Sequence, residues 1–228
     1  MKVDAITKRE ALKKVQEDKR ISRTLYEFER RGNIGILRIY SFKLRGYLFN
    51  DFREFLKEIF EKNKDITDLI IDIRGNPGGT LDSVSEVLGH LVKEKLYVKY
   101  KERIKNSKYN IKALEMAGIR YDESTKGKII QISRSLIVSP IPPAFEGKVW
   151  VLVDSSIASA ALVFTAIVQN NKFGKVIGEK PVYSINTTRG GIMHYLPAVK
   201  LYAYIPGSYM YFPEYYEITP DYEITMTT

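Results

Sequence analysis

Two short segments hold the residue types and spacings best suited to chemistry. In Asp72-Ile73-Arg74-Gly75-Asn76-Pro77-Gly78-Gly79, three glycines and a proline follow an apolar run. Glycine reaches φ > 0 and lets another group come close to the backbone. Free N–H groups at the start of a following helix, together with the helix dipole, favour negative charge, so a phosphate or a developing oxyanion suits such a loop. The pattern is neither a Walker A nor a G-x-G-x-x-G sequence, so it gives little reason to expect a nucleotide. A tight strand–helix turn accounts for the same residues. In Val153-Asp154-Ser155-Ser156-Ile157-Ala158-Ser159-Ala160-Ala161, a serine stands among small residues in what reads as a first helical turn. A substrate backbone can approach it there, and the N–H of Ala160 points the same way as the Ser159 side chain. Read alone, these serines equally suit helix caps and small packing residues.

The elements that must position these loops follow from periodicity. Leu69 to Ile73 and Val149 to Val153 are short apolar runs, read as buried strands that end at the two loops. Thr80 or Asp82 caps a helix through Val92, and a second helix runs from about Ile157 to Asn170. Alternation from Thr24 to Glu29, a turn at Arg31-Gly32-Asn33 and a return from Ile34 to Tyr40 predict a hairpin. Asn50 or Asp51 caps a helix through Lys62, with Phe52, Phe55, Leu56, Ile59 and Phe60 on one face. Leu96 to Tyr100, 128–139 and Lys175 to Ile177 read as extended. Residues 104–127 are Lys-rich and irregular, an insertion or a lid, with a short helix before Gly118. A polar loop spans Gly178 to Gly191, and β-rich sequence runs on to about Thr225. Thr7 and Glu10 form a capping box, so residues 1–23 read as an N-terminal helical arm before a core over 24–228. Strand–helix alternation in the middle predicts an α/β core with additional β-strands.

Composition removes several function classes. There are no cysteines, which excludes disulfides, thiolate metal sites and a cysteine nucleophile. The only histidines are His90 and His194, too few for a multi-histidine metal centre, so neither metal nor cofactor is expected. His90 lies mid-helix among leucines and reads as structural. The net charge of +9 allows a nucleic-acid partner. However, the basic residues are scattered and no Lys/Arg block interleaves with aromatics, so a Lys- and Glu-rich surface of the heat-adapted kind is the simpler reading. Residues 1–14 lack the apolar stretch of a signal peptide, and no run of about 18 apolar residues exists to span a membrane. The expected location is cytoplasmic.

Taken together, the two loops resemble the C-terminal processing (tail-specific) serine protease family. In that family a strand ending D-[LI]-R-x-N-x-G-G precedes one ending in a serine-rich S-A-S-A-S-E segment. A helix with a Q-[DN]-N-like end and a V-[IV]-G-E turn follow. Here the order is Asp72 to Gly79, Val153 to Ala161, Gln169-Asn170-Asn171 and Val176-Ile177-Gly178-Glu179, and Pro220-Asp221-Tyr222-Glu223-Ile224 is similar to the closing P-D-x-x-V. The resemblance covers roughly residues 24–225. It implies a core akin to the ClpP/crotonase ββα superhelix and a serine peptidase acting on peptide or protein. Ser159 falls at the nucleophile position, with an oxyanion hole from the N–H groups of Ala160 and Gly78, or of Gly79 as the nearby alternative.

The general base departs from the family pattern. The lysine usually found 25 positions after the serine is Ser184 here, its assisting glutamine is Thr188, and the acid closing S-A-S-A-S-E is Leu162. Lys180, in the same loop, is one candidate base. His194, oriented by Glu214 or Glu217, is another; the histidine of tricorn-like relatives comes from upstream of this core, and no histidine precedes position 90 here. A base from another subunit or loop is a third, which leaves a homo-oligomer open. The fourth is a catalytically degenerate module that binds peptide or an apolar ligand, as retinoid-binding relatives do. No room exists for a PDZ domain, so peptide would bind along a strand edge.

Overall fold

The computed structural model describes residues 25–224. The capping box at Thr7 and Glu10, the helical arm over 1–23 and Thr24 lie outside the described residues. The elements in chain order are β1 (Tyr26–Arg31), β2 (Ile34–Ile39), α1 (Tyr47–Lys62), β3 (Asp68–Asp72), α2 (Leu81–Gly89), β4 (Leu96–Lys105), α3 (Ile111–Met116), β5 (Ile129–Val138), β6 (Lys148–Val153), α4 (Ala160–Asn170), β7 (Lys175–Gly178), β8 (Thr187–Leu196), β9 (Leu201–Tyr211) and β10 (Tyr222–Glu223).

They form two sheets. The first has the order β1-β2-β3-β6-β7-β10. Its β1–β2 hairpin is antiparallel and every other pairing is parallel. Parallel strands carry apolar residues on both faces: Leu37, Leu69, Ile71, Val149, Val151 and Val176 share one face and are buried, while Ile36, Ile70 and Leu152 on the other are half-buried. The second sheet, β5-β4-β9-β8, is wholly antiparallel. One of its faces packs Val98, Tyr100, Leu136 and Val138 into the same hydrophobic core as the first sheet. Farther along that face, buried Glu102 lies 2.9 Å from Arg134 and 3.6 Å from Arg189, and it accepts a 2.7 Å hydrogen bond from the Ser208 hydroxyl. This is the expected α/β class with added strands. No helix among the described residues is long and apolar enough to cross a membrane.

Several boundaries differ from the sequence reading, for local reasons. Helix α1 starts at Tyr47 behind Gly46, not at a capped Asn50 or Asp51. The Asp51 carboxylate is occupied: it accepts the Tyr26 hydroxyl at 2.6 Å. Helix α2 ends at Gly89, so His90 stands at its C-cap. Strand β4 continues five residues past Tyr100, to Lys105. The stretch 104–127 therefore begins in a strand, and the expected short helix before Gly118 is α3. Buried Leu114 and the buried Asn106, whose amide donates to the Asp122 carbonyl and the Thr125 hydroxyl, bind this connection to the sheet. The polar loop ends earlier than Gly191, because β8 begins at Thr187.

Candidate active site

Strand β3 delivers the first loop and β6 the second, side by side at the carboxyl ends of the parallel strands, where open α/β sheets usually place their ligands. The start of the first loop is fixed by Asp72, which takes two hydrogen bonds from the Arg74 guanidinium at 2.8 and 2.7 Å. That pairing holds Arg74 charged by raising its pKa. Fully buried Asn76 then ties three pieces together. Its amide donates to the Ile39 carbonyl at 2.8 Å, its side-chain oxygen accepts the Gly78 N–H at 2.8 Å, and its backbone carbonyl accepts the Ala158 N–H at 3.1 Å. The loop pattern contained Asn76, but nothing in the sequence marked it as the clamp between the loops.

The two glycines that follow are required by space. A methyl group on Gly78 would stand 2.7 Å from the Ser159 Cβ and 2.5 Å from the Ala158 carbonyl oxygen. On Gly79 it would stand 1.9 Å from the Phe42 carbonyl carbon. Gly78 and Thr80 each hydrogen-bond the backbone of Phe42, at 3.0 and 2.9 Å, so the first loop is seated on the extension of β2. The Gly78 N–H is committed to Asn76, whereas the N–H groups of Gly79 and Ala160 have no hydrogen-bond partner among the described residues.

Ser159 has φ 53° and ψ −120°. That backbone region is unfavourable for a residue with a side chain and costs about 1–3 kcal/mol. It is the kind of sharp strand-to-helix turn that lifts a serine hydroxyl clear of its own chain. The strained residue is why α4 begins at Ala160 and not at Ile157. Ahead of it, Asp154 caps its own turn by accepting the Ser156 N–H at 3.0 Å. Behind it, α4 is buried on all sides from Ala160 to Val168, and its dipole directs partial positive charge at the turn. Ser159 is half-buried, and its hydroxyl makes no hydrogen bond among the described residues.

The candidate bases stand in different places. Lys180 is exposed in a loop held against the second loop: the Glu179 carboxylate accepts the Ser155 N–H at 3.2 Å, and the Ser155 carbonyl accepts the Val182 N–H at 3.0 Å. No hydrogen bond joins Lys180 to Ser159. His194 is exposed on β8 opposite Ala203, in the other sheet. It has no hydrogen bond to Glu214 or Glu217, and Glu214 instead lies 3.6 Å from Lys99. The structure thus brings together Ser159, Ala160, Gly78 and Gly79, and it places His194 in the other sheet. Ser184 is exposed and Leu162 is fully buried. His90 is fully buried against Phe60, ring centroids 4.3 Å apart and nearly parallel. Burial pushes its pKa down; the Pro143 and Ile141 carbonyls oppose this in part, although neither ring nitrogen makes a well-formed hydrogen bond.

Comparison with known proteins identifies the family. The model of peptidase family S41 matches residues 33–224. The carboxy-terminal processing protease CtpB of Bacillus subtilis (strain 168) is 48% identical over 54 residues, which is 23% of this chain and 11% of that protein. Among solved structures, the photosystem II D1 C-terminal processing protease superposes with a TM-score of 0.53 at 16% identity, covering 84% of this chain and 42% of that one. Mature CPAF complexed with lactacystin does so with a TM-score of 0.58 at 15% identity, covering 87% and 49%. The chain thus spans less than half the length of each of these relatives, and the structural likeness is one of fold. With a family match over most of its length, the chain belongs to peptidase family S41.

Proposed function

We propose that this chain is a serine peptidase core that cleaves peptide bonds through an acyl-enzyme on Ser159. One observation carries the reading. A serine held at φ 53° sits against Gly78, beside two N–H groups, of Gly79 and Ala160, that have no partner among the described residues. In the proposed reaction the Ser159 hydroxyl gives its proton to a base, and its oxygen bonds to the substrate carbonyl carbon. The negative charge that develops on the carbonyl oxygen is met by the two N–H groups and the positive end of α4. The amine leaves with the proton from the base, and water then releases the acyl group by the reverse sequence. Gly79 suits the oxyanion role better than Gly78, whose N–H already serves Asn76.

For the base we favour Lys180, because Glu179 and Val182 fasten its loop to Ser155, four residues before the serine. A second reading, a module that binds peptide without cutting it, is favoured by the unbonded Ser159 hydroxyl. Fluorophosphonate labelling read by intact mass separates the two. The first reading expects one adduct on the wild type, none on Ser159→Ala, strongly slowed labelling in Lys180→Met and normal labelling in His194→Ala. A folded wild type that takes no label, yet binds peptide as Ser159→Ala does, would establish the second.

A further inference from the structure

The second sheet has one face that nothing covers among the described residues. Along β4 the residues Lys99-Tyr100-Lys101-Glu102-Arg103-Ile104-Lys105 alternate in side. Tyr100, Glu102 and Ile104 are buried, so the strand's one acid in this stretch goes inside and its four cations face out. Pairing continues the pattern across the sheet. Tyr211 lies directly opposite Lys101, and Tyr209 opposite Arg103; both rings are more than a third exposed. On the other side of β4, the outward residues facing this row are Ser135, Ser133 and Gln131 of β5, all uncharged. Lys101, Arg103 and Lys105 make no ion pair among the described residues. Lys99 has the one exposed contact with Glu214, a pairing of little energetic weight. At one end, an open groove of about 680 Å³ is lined by Arg103, Lys105, Tyr109, His194 and Tyr209, with no acid in its wall.

From this surface we infer that the chain has a second binding activity, for single-stranded nucleic acid. Alternate residues on a strand stand about 6.8 Å apart, a repeat comparable to that of phosphates along an extended single strand. The four cations therefore track a backbone, and Tyr209 and Tyr211, two residues apart on the neighbouring strand, offer successive stacking surfaces for bases. A four-stranded antiparallel sheet with aromatics on its open face is a known way to hold unpaired bases. The β8–β9 ribbon runs on beyond the sheet, since β4 pairs only with Ser208–Tyr211, but between Ile192 and Pro206 its one Lys or Arg is Lys200, so it offers little to the phosphates of a duplex. An acidic peptide would use the cations but leave the tyrosine rings without a role. Strand alternation puts the four cations of this short segment on one face, and register brings the two tyrosines beside them.

Fluorescence anisotropy with a labelled fifteen-nucleotide oligo(dT) tests this. Four phosphate contacts on a single strand predict a salt slope near −2.8, hence about 50-fold weaker binding at 200 mM than at 50 mM salt. Lys101→Ala with Arg103→Ala should halve that slope. Tyr209→Ala should weaken binding about tenfold or more with the slope unchanged. Lys57→Ala with Lys64→Ala removes the same charge from an exposed stretch outside this sheet and should leave affinity intact. Circular dichroism melts confirm that each variant is folded. Absence of binding at 50 mM salt overturns the proposal, and so does equal weakening by the Lys57/Lys64 pair. A fifteen-residue polyglutamate that competes as well as the oligonucleotide, with Tyr209→Ala silent, overturns it in favour of an acidic-polypeptide site.

Discussion

The two sheets each bury one face and differ in what the other face carries. The first buries one face and leaves the other half-buried but still apolar at Ile36, Ile70 and Leu152, so its parallel strands are runs of Leu, Ile and Val, and the proposed chemistry lies in the loops at their carboxyl ends. The second buries one face, so it alternates, and its charged residues are sorted by side: Glu102 inward against Arg134 and Arg189, the Lys99–Lys105 row outward. A strand with two apolar faces announces itself within five residues. A strand with one covered face reveals what it displays only when its neighbours are aligned.

The comparison can be broken at several points, in order of expected effect. Gly79→Ala should be the most damaging, because the new methyl would overlap the Phe42 backbone and force a side chain into φ 154°. A loss above about 4 kcal/mol in urea denaturation is expected, and a nearly normal midpoint would show that the first loop is not seated on β2. Next, each sheet has its own buried anchor. Glu102→Ala removes the buried acid that faces Arg134 and Arg189 and accepts the Ser208 hydroxyl, and should cost about 3–5 kcal/mol. Ile71→Ala opens a cavity in the first and should cost about 2–5 kcal/mol. Raising salt should narrow the difference between wild type and neither variant, since both anchors are shielded from solvent.

A smaller effect is expected from pH. Burial lowers the pKa of His90 in the folded state, so below the ordinary histidine value of about 6.5 the unfolded chain binds a proton that the folded chain refuses. Stability attributable to His90 is complete above that value and declines as pH falls beneath it. His90→Phe, which keeps the stack on Phe60, should flatten the decline in melting temperature between pH 7.5 and 5; an unchanged decline would assign it to carboxylates. Least of all, Lys101→Ala on the open face should alter stability by no more than about 0.5 kcal/mol, which makes it a clean probe of binding.

How much was legible in the sequence follows the same division. The strands β3 and β6, the loops after them and the small residues around Ser159 could be read locally, because each is a contiguous pattern. The α1 start was misplaced because Asp51 pairs with Tyr26, 25 residues away, and no local rule anticipates that. Gly78 and Gly79 were legible as glycines that permit close approach. Which of them keeps a free N–H depends on Asn76, whose side chain reaches across to Ile39. The open cationic face was the least legible feature, since it is a property of register between β4 and β9 and not of either segment.

Helix α4, enclosed on every side from Ala160 to Val168, bears on how the serine behaves over time. Local opening draws on segments with few buried contacts, and this helix has none to spare. Its central amides should exchange with deuterium only when the entire fold opens, at the slowest rate in the molecule. The turn that carries Ser159 is thereby tied to global stability, and heat should abolish the proposed fluorophosphonate labelling and the tertiary structure in a single step. Any switching of this site must then come from the Lys180 loop, where the hydrogen bonds to Ser155 are few and near the surface.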